Sequence, residues 1–107
     1  MISGTTGLIG LLGQPVSHSL SPVMHNAALK AMDLDWRYLA LPCDAGDLEA
    51  VLNGLQAVGC HGLNVTIPHK QAVAGLCREL SPLAKRLGAV NTLTPLREGG
   101  WHGHNTD

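Results

Sequence analysis

The sequence predicts a three-layer α/β domain, in which a mainly parallel sheet with one antiparallel strand lies between helices on both faces. Apolar segments of strand length alternate with helix-length segments, which is typical of crossover connections between parallel strands. The first apolar segment is almost unbroken, as expected for a strand that is covered on both faces. At 107 residues, with 45% hydrophobic and 14% charged residues, the chain suits a single domain around one core.

The first half of the chain is predicted to contain two strands and two helices. Residues 6–12 (TGLIGLL) form the first strand, and residues 36–41 form the second. Between them, Ser21 is predicted to cap a helix that starts with Pro22 and runs to about Met32. That helix is expected to bury the apolar residues Val23, Met24, Ala27, Ala28 and Ala31. A second helix begins near Asp44, ends at Gly59 and turns inward Leu48, Val51, Leu52, Leu55 and Val58.

The second half repeats the alternation with shorter elements. Residues 61–67 form a third strand that Pro68 ends, and residues 70–76 form a short helix. Ser81 and Pro82 begin another helix, which ends at Gly88 and turns inward Leu83, Ala84 and Leu87. Residues 89–93 and 101–105 are predicted to be two last strands, joined through a turn at 98–100 and therefore able to form an antiparallel hairpin.

Composition excludes several classes of protein. The 7 basic and 8 acidic residues nearly cancel, and the three aromatic residues are too few for a base-stacking surface, so we expect no nucleic-acid partner. The apolar stretch 7–12 is too short to cross a membrane and lacks the basic start of a signal peptide. Three cysteines without a C-x-x-C pair predict reduced thiols and a cytoplasmic protein. No feature of the sequence predicts an oligomeric state.

Polar side chains cluster where predicted strands end. In α/β sheets, ligands bind beyond the carboxyl ends of the strands, so the convergence of these clusters predicts a polar ligand site. The clusters are Ser19 with Ser21, the stretch Asn64, Thr66 and Lys70, the pair Asn91-Thr92, and the final residues Asn105, Thr106 and Asp107.

Each cluster suggests a different chemical role. Ser19 and Ser21 lie at a predicted helix N-terminus, which attracts an anion such as a carboxylate, although Ser21 also fits a structural cap. Lys70 and Asp107 are the candidates for acid–base work at a hydroxyl or carbonyl carbon. Asn91, in an apolar strand, needs hydrogen-bond partners, which a bound polyol or internal bonds could supply.

Two other kinds of site are considered. His102 and His104 share one strand face near Asp107, which raises a metal-binding hypothesis, but no H-E-x-x-H or Cys/His zinc spacing is present and exposed strand histidines are the favoured interpretation. The glycines at 7, 10 and 13 do not form G-x-G-x-x-G, and no helix opens directly after them. We therefore expect no metal and no dinucleotide to bind this chain.

Taken together, four stretches resemble the N-terminal domain of the shikimate dehydrogenase family. They cover nearly the whole chain from Gly7 to Asp107, in the order GLLGQPVSHSLSPVMHNAAL, GLNVTIPHK, LAKRLGAVNTL and GHNTD. The resemblance implies an enzyme of chorismate and aromatic amino acid biosynthesis, which reduces 3-dehydroshikimate to shikimate with NADPH. It also implies a C-terminal NADP-binding Rossmann domain that is absent from this chain, so we expect residues 1–107 to be the substrate-binding domain and to be inactive alone.

The resemblance also assigns roles to the polar residues. Ser19 and Ser21 hold the substrate carboxylate, and Lys70 donates or accepts the proton while Asp107 positions it. The residues implied to bond the ring hydroxyls are Asn64, Thr66, Asn91 and Asp107. Two alternatives stay open: a relative that uses quinate as well as shikimate, and a non-catalytic module that binds a small polyhydroxy acid.

Overall fold

The computed structural model describes residues 1–107 and contains one six-stranded mixed sheet with helices on both faces. The strands are β1 (Gly7–Gly13), β2 (Trp36–Pro42), β3 (Gly62–Val65), β4 (Glu79–Leu80), β5 (Thr92–Pro95) and β6 (Trp101–His104). The helices are α1 (Ser21–Ala31), α2 (Leu48–Ala57), α3 (Lys70–Ala74) and α4 (Pro82–Leu87), with a 3₁₀ turn at Ala45–Asp47 before α2. No helix has the length and apolar character that crossing a membrane requires.

The sheet confirms the predicted α/β class and its single antiparallel strand. The strand order is β2-β1-β3-β5-β6-β4. β1 pairs in parallel with β2 and β3, and β4 pairs in parallel with β6. β5 lies antiparallel to both β3 and β6, so the predicted hairpin is present and a second antiparallel pair, with β3, accompanies it. Because β5 alone runs backwards, its amino end lies beside the carboxyl ends of β3 and β6.

Two hydrophobic clusters occupy the two faces of the sheet because successive residues of a strand point to opposite sides. On one face, Leu12 of β1 packs in a cluster of eleven buried residues with side chains from α2, α3 and α4. On the other face, Leu11 packs with Val16, Leu29 and Tyr38 beneath α1. The two clusters establish the predicted three layers.

Helix α1 has the predicted extent but not the predicted inward face. Of its residues only Leu29 is buried, and the five that were expected inside, Val23, Met24, Ala27, Ala28 and Ala31, are all exposed. The reason is a polar contact: the Asn26 side chain bonds both the N–H and the C=O of Tyr38 on β2, at 2.8 and 2.9 Å. This contact, with Leu29 one turn further on, turns the helix away from its most apolar side.

Other helix and strand ends differ from the prediction in smaller ways. Val58 and Leu87, expected inside, are exposed at the ends of their helices, where Val58 is the C-cap of α2 and Leu87 is the last residue of α4. β3 ends at Val65 rather than at Ile67, which is also exposed. The two-residue strand β4 was not predicted, since so short a segment has no alternation to detect. The predicted ends at Gly59 and Gly88 are confirmed by their positive φ angles of 81° and 63°.

Candidate functional site

Strand β3 carries two of the predicted site residues toward the α1 side of the sheet. Asn64 lies beside Leu11 in register, on the face opposite buried Leu63 and Val65. Thr66 follows the strand, and its N–H donates to the Leu12 carbonyl at 2.9 Å, which extends the pairing with β1 by one residue. Asn64 and Thr66 therefore lie on one face, as the alternation predicted.

The serines at the start of α1 lie beside Thr66. Ser19, Ser21 and Thr66 line one cavity of about 320 Å³, together with residues of the β1–α1 loop. The prediction that Ser21 caps the helix is wrong, because Ser21 is already its first residue and makes no capping bond. The Ser19 hydroxyl instead accepts the Ser21 N–H at 3.1 Å. The Ser21 hydroxyl thus has no partner within the chain, and the Ser19 hydroxyl keeps its proton available to donate.

Lys70 and Asp107, the two residues that the sequence suggested for acid–base work, form an ion pair. Lys70 is the first residue of α3, directly after the loop that follows β3, and its Nζ lies 3.7 Å from Asp107 Oδ2. Both side chains reach solvent, with relative exposures of 35% and 67%. Such an exposed pair contributes about 1 kcal/mol or less to stability, so its position at the carboxyl ends of β3 and β6 is not explained by folding.

Asn91 finds its partners inside the chain. Its amide Nδ2 donates to Thr106 Oγ1 at 2.9 Å and to Asp107 Oδ1 at 3.4 Å. Its Oδ1 accepts the Thr92 hydroxyl at 2.9 Å and the Thr106 N–H at 3.2 Å. Of the two alternatives for Asn91, the structure therefore shows the internal hydrogen bonds. These bonds tie Thr106 and Asp107 to Asn91 and so fix the position of the Asp107 carboxylate.

Asn91 reaches this place for a reason that the sequence did not predict. Residues 89–93 were expected to form a strand with Asn91 near its carboxyl end, but β5 begins only at Thr92. Because β5 runs antiparallel to β3, its amino end lies at the same edge of the sheet as Lys70 and Asp107. The reversed strand brings Asn91 to the site.

The predicted site residues thus lie at three places along and beside β3. Ser19, Ser21 and Thr66 share one cavity, while Lys70, Asn91 and Asp107 contact each other in a chain. Asn64 lines a groove of about 210 Å³ on the sheet surface. β3 and the loop after it supply Asn64, Thr66 and Lys70, so one short segment connects all three places.

A larger cavity, about 600 Å³, lies at the opposite end of the sheet. It is lined by charged residues near the C-terminus of α1 and the start of β2, among them Lys30, Asp33 and Arg37. Parallel strands present their ligand sites at the carboxyl ends, where loops and helix N-termini meet. The smaller cavity beside Ser19 and Thr66 is therefore the better candidate in spite of its size.

His69, directly before Lys70, is a supporting residue that the sequence analysis missed. Its ring is fully buried, and its Nε2–H donates to the Cys43 carbonyl at 2.7 Å. Its Nδ1 has no partner in the chain. This bond ties the turn before Lys70 to the loop after β2. The sequence signal that could have found it is its position between Pro68, which ends the strand, and the candidate base Lys70.

The structure gives no support to the metal hypothesis. His102 and His104 stack on each other with ring centroids 4.3 Å apart. His102 contacts Glu79 at 3.2 Å and His104 contacts Thr94 at 3.1 Å. No three histidine, cysteine or acidic side chains converge as metal ligands. Both histidines are half-buried rather than exposed, and burial, followed by the proximity of His102, lowers the pKa of His104.

The glycines of β1 do not form a phosphate cradle. A Cβ at Gly7 would meet the Trp36 and His61 rings, and one at Gly13 would meet Thr66 and Val16 at 2.5 and 2.6 Å. The space beside them is already filled by side chains, so these glycines serve close packing within the domain. The β1 glycines therefore do not form the open turn that a dinucleotide phosphate requires.

The chain is similar in sequence to proteins of one known family. The family described as the shikimate dehydrogenase substrate binding domain matches residues 11–93. A curated shikimate dehydrogenase (NADP(+)) of Prochlorococcus marinus (strain MIT 9215) is 55% identical over 107 residues, which are 100% of this chain and 37% of the relative. The chain therefore spans little more than a third of the length of the curated relatives that it matches.

Solved structures agree with the sequence comparison. Shikimate 5-dehydrogenase from Listeria monocytogenes, crystallised in complex with shikimate and NAD, superimposes with a TM-score of 0.93 at 42% identity, covering 99% of this chain and 36% of that one. Shikimate dehydrogenase from Aquifex aeolicus superimposes with a TM-score of 0.94 at 39% identity, covering 99% of this chain and 40% of that one.

Proposed function

This chain belongs to the shikimate dehydrogenase substrate-binding domain family, and we propose that it binds shikimate and 3-dehydroshikimate within a longer cytoplasmic enzyme that interconverts them with NADP(H). In this proposal residues 1–107 form the substrate-binding domain, and a further domain holds the cofactor. The observation that carries the proposal is the Lys70–Asp107 pair at 3.7 Å, placed at the strand ends where stability does not require it.

Ser19 and Ser21 are proposed to bind the substrate carboxylate. The Ser21 hydroxyl has no competing bond within the chain, and the Ser19 hydroxyl is oriented by the Ser21 N–H. Two hydroxyl donors at the positive end of the α1 dipole suit an anion. Thr66, which lines the same cavity, is proposed to bond the ring hydroxyl nearest to that carboxylate.

Asn64, Asn91 and Asp107 are proposed to bond the remaining ring hydroxyls. The Asp107 carboxylate can accept a hydrogen bond from a ring hydroxyl, and the Asn64 amide NH₂ can donate one. Asn91 already bonds Asp107 and Thr106, so its contribution is to hold the carboxylate in place beside the ring as well as to contact it.

Lys70 is proposed to move the proton at the reacting carbon. When shikimate is oxidised, the hydroxyl proton leaves to the Lys70 amine, and in the reverse direction the ammonium returns a proton to the carbonyl oxygen. Asp107 keeps the Lys70 Nζ pointed at that oxygen through the 3.7 Å contact. NADP⁺ would take the hydride from the carbon that is oxidised, and NADPH would return it in the reverse direction. Because the β1 glycines are packed against side chains and form no phosphate-binding turn, we propose that the cofactor binds outside residues 1–107.

The proposal is tested by turnover of the longer protein that contains this domain, referred to below as the complete enzyme. We expect shikimate-dependent reduction of NADP⁺, with no turnover by residues 1–107 alone. Quinate, assayed in parallel, separates the shikimate-specific reading from a relative that accepts both acids. Saturable binding of shikimate without any turnover by the complete enzyme would identify a non-catalytic binding module instead. A complete enzyme that neither binds shikimate nor turns it over would overturn the proposal.

A further inference from the structure

Tyr38 on β2 is a buried side chain that touches the proposed site but was not among its predicted residues. It is 2% exposed, and its hydroxyl donates to Asn64 Oδ1 at 3.0 Å. Because β1 lies between β2 and β3, the Tyr38 ring reaches across a whole strand to make this bond. A buried phenol needs an acceptor for its O–H, and Asn64 Oδ1 is the acceptor that Tyr38 has in this structure.

Tyr38 is itself held from several directions by α1. The Asn26 side chain bonds the backbone N–H and C=O of Tyr38 at 2.8 and 2.9 Å. The ring of His25, the residue before Asn26 on α1, stacks on the Tyr38 ring with centroids 4.1 Å apart and an angle of 7° between the planes. The phenol therefore has a fixed position relative to α1, the helix that also carries Ser21.

The bond from Tyr38 determines how the Asn64 amide is oriented. An amide group has one oxygen, which accepts, and one NH₂, which donates. With Oδ1 occupied by the phenol, the reversed orientation would leave the buried Tyr38 O–H facing NH₂ without an acceptor, at a cost of about 1–3 kcal/mol. Burial raises the pKa of Tyr38 to about 12, so the phenol remains a donor throughout the neutral range. The Asn64 NH₂ has no partner within the chain and is left free.

We propose that Tyr38 is a positioning residue that fixes Asn64 as a hydrogen-bond donor, so that the site selects a ligand whose oxygen at this place accepts a hydrogen bond. The inference rests on the proposed function, because it assigns the geometry of one contact in the shikimate site. Tyr38 does not touch the ligand in this account. It acts through the Asn64 amide, and the ring hydroxyl opposite Asn64 accepts a hydrogen bond from the NH₂ group instead of donating one.

The test compares Tyr38→Phe, Asn64→Ala and the double variant in the complete enzyme. Tyr38→Phe removes only the hydroxyl and keeps the ring that stacks on His25. We expect the KM for shikimate to rise by roughly twofold to tenfold, the range of one ordinary hydrogen bond, with kcat changed much less. In the Asn64→Ala background the same substitution should have no further effect on KM, since the amide through which Tyr38 acts is gone.

A second measurement does not depend on the variants' kinetics. In ¹⁵N-labelled protein, the Asn64 side-chain NH₂ should give one resolved pair of resonances, which shifts on addition of shikimate and broadens in Tyr38→Phe. An unchanged KM in Tyr38→Phe, or an equal rise of KM in the Asn64→Ala background, would overturn the positioning role while leaving the proposed function intact. A wild-type enzyme that fails to use or bind shikimate would instead overturn the proposed function, and this inference with it.

Discussion

Replacing Lys70 by alanine should separate the contribution of this residue to chemistry from its contribution to folding. Two unit charges 4 Å apart attract by about 1 kcal/mol in water, and the Lys70 and Asp107 side chains, 3.7 Å apart, are 35% and 67% exposed. Salt and side-chain entropy reduce that value further. We therefore expect Lys70→Ala to change the free energy of unfolding by less than about 1 kcal/mol.

The same substitution should affect catalysis far more. A positioned acid or base typically contributes a factor of about 10²–10⁴ to the rate, so kcat for shikimate oxidation by the complete enzyme should fall by that range in Lys70→Ala. The assay is NADPH formation at saturating shikimate, paired with urea unfolding of both proteins. Lys85→Ala, at an exposed lysine of α4 with no ion pair, is the matched control and should change neither quantity.

Three results would refute this reasoning. If the rate of Lys70→Ala stayed within about threefold of wild type, Lys70 would not be the proton carrier. If the variant instead lost several kcal/mol of stability, the lysine would be a structural residue and its rate effect would carry no mechanistic meaning. A rise in KM alone, with kcat unchanged, would limit Lys70 to binding.

Three further predictions test other parts of the structure. Ser21→Ala should raise the KM for shikimate without lowering stability, because its hydroxyl has no partner in the fold, whereas Ser19→Ala should raise KM and also lower the melting temperature through the lost bond at the start of α1. Trp101→Phe should destabilise the domain by about 2–4 kcal/mol in urea unfolding, since it removes a buried bond of 3.0 Å to the Leu52 carbonyl and leaves a cavity. Burial, followed by the proximity of His102, lowers the pKa of His104 in the folded state. Around the ordinary value of 6.5 the unfolded chain therefore binds more protons than the folded one, so the free energy of unfolding should fall as the pH drops through that region. His104→Gln should reduce the slope of the free energy of unfolding against pH.

The sequence was sufficient to predict the longer elements and the edge of the sheet at which the candidate residues gather. Strand and helix periodicity located β1, β2, α1 and α2 to within a few residues, because long elements repeat their pattern several times. Alternation along β3 also placed Asn64 and Thr66 on one face. The family resemblance, which depends on four polar stretches in order, was confirmed by the match over residues 11–93.

What the sequence could not supply depends on contacts between distant residues. Hydrophobicity placed Val23 and Met24 inside, yet the two bonds from Asn26 to the outer edge of β2 decide which side of α1 faces the sheet. Ser21 matched the capping pattern, but Ser19 makes the bond. The role of Tyr38 depends on a partner 26 residues away, and no local pattern could have connected the two.

The most direct test of the site is a titration of ¹⁵N-labelled protein with shikimate, followed by NMR. We predict saturable shifts that are largest at Ser19, Thr66 and Lys70, and small or absent at Lys30 and Arg37 beside the larger cavity. Cyclohexanecarboxylate, which has the acid but no ring hydroxyls, should shift the serine signals only. Saturable shifts confined to the larger cavity, or scattered over unrelated surfaces, would contradict the claim that these side chains surround one polyhydroxy acid.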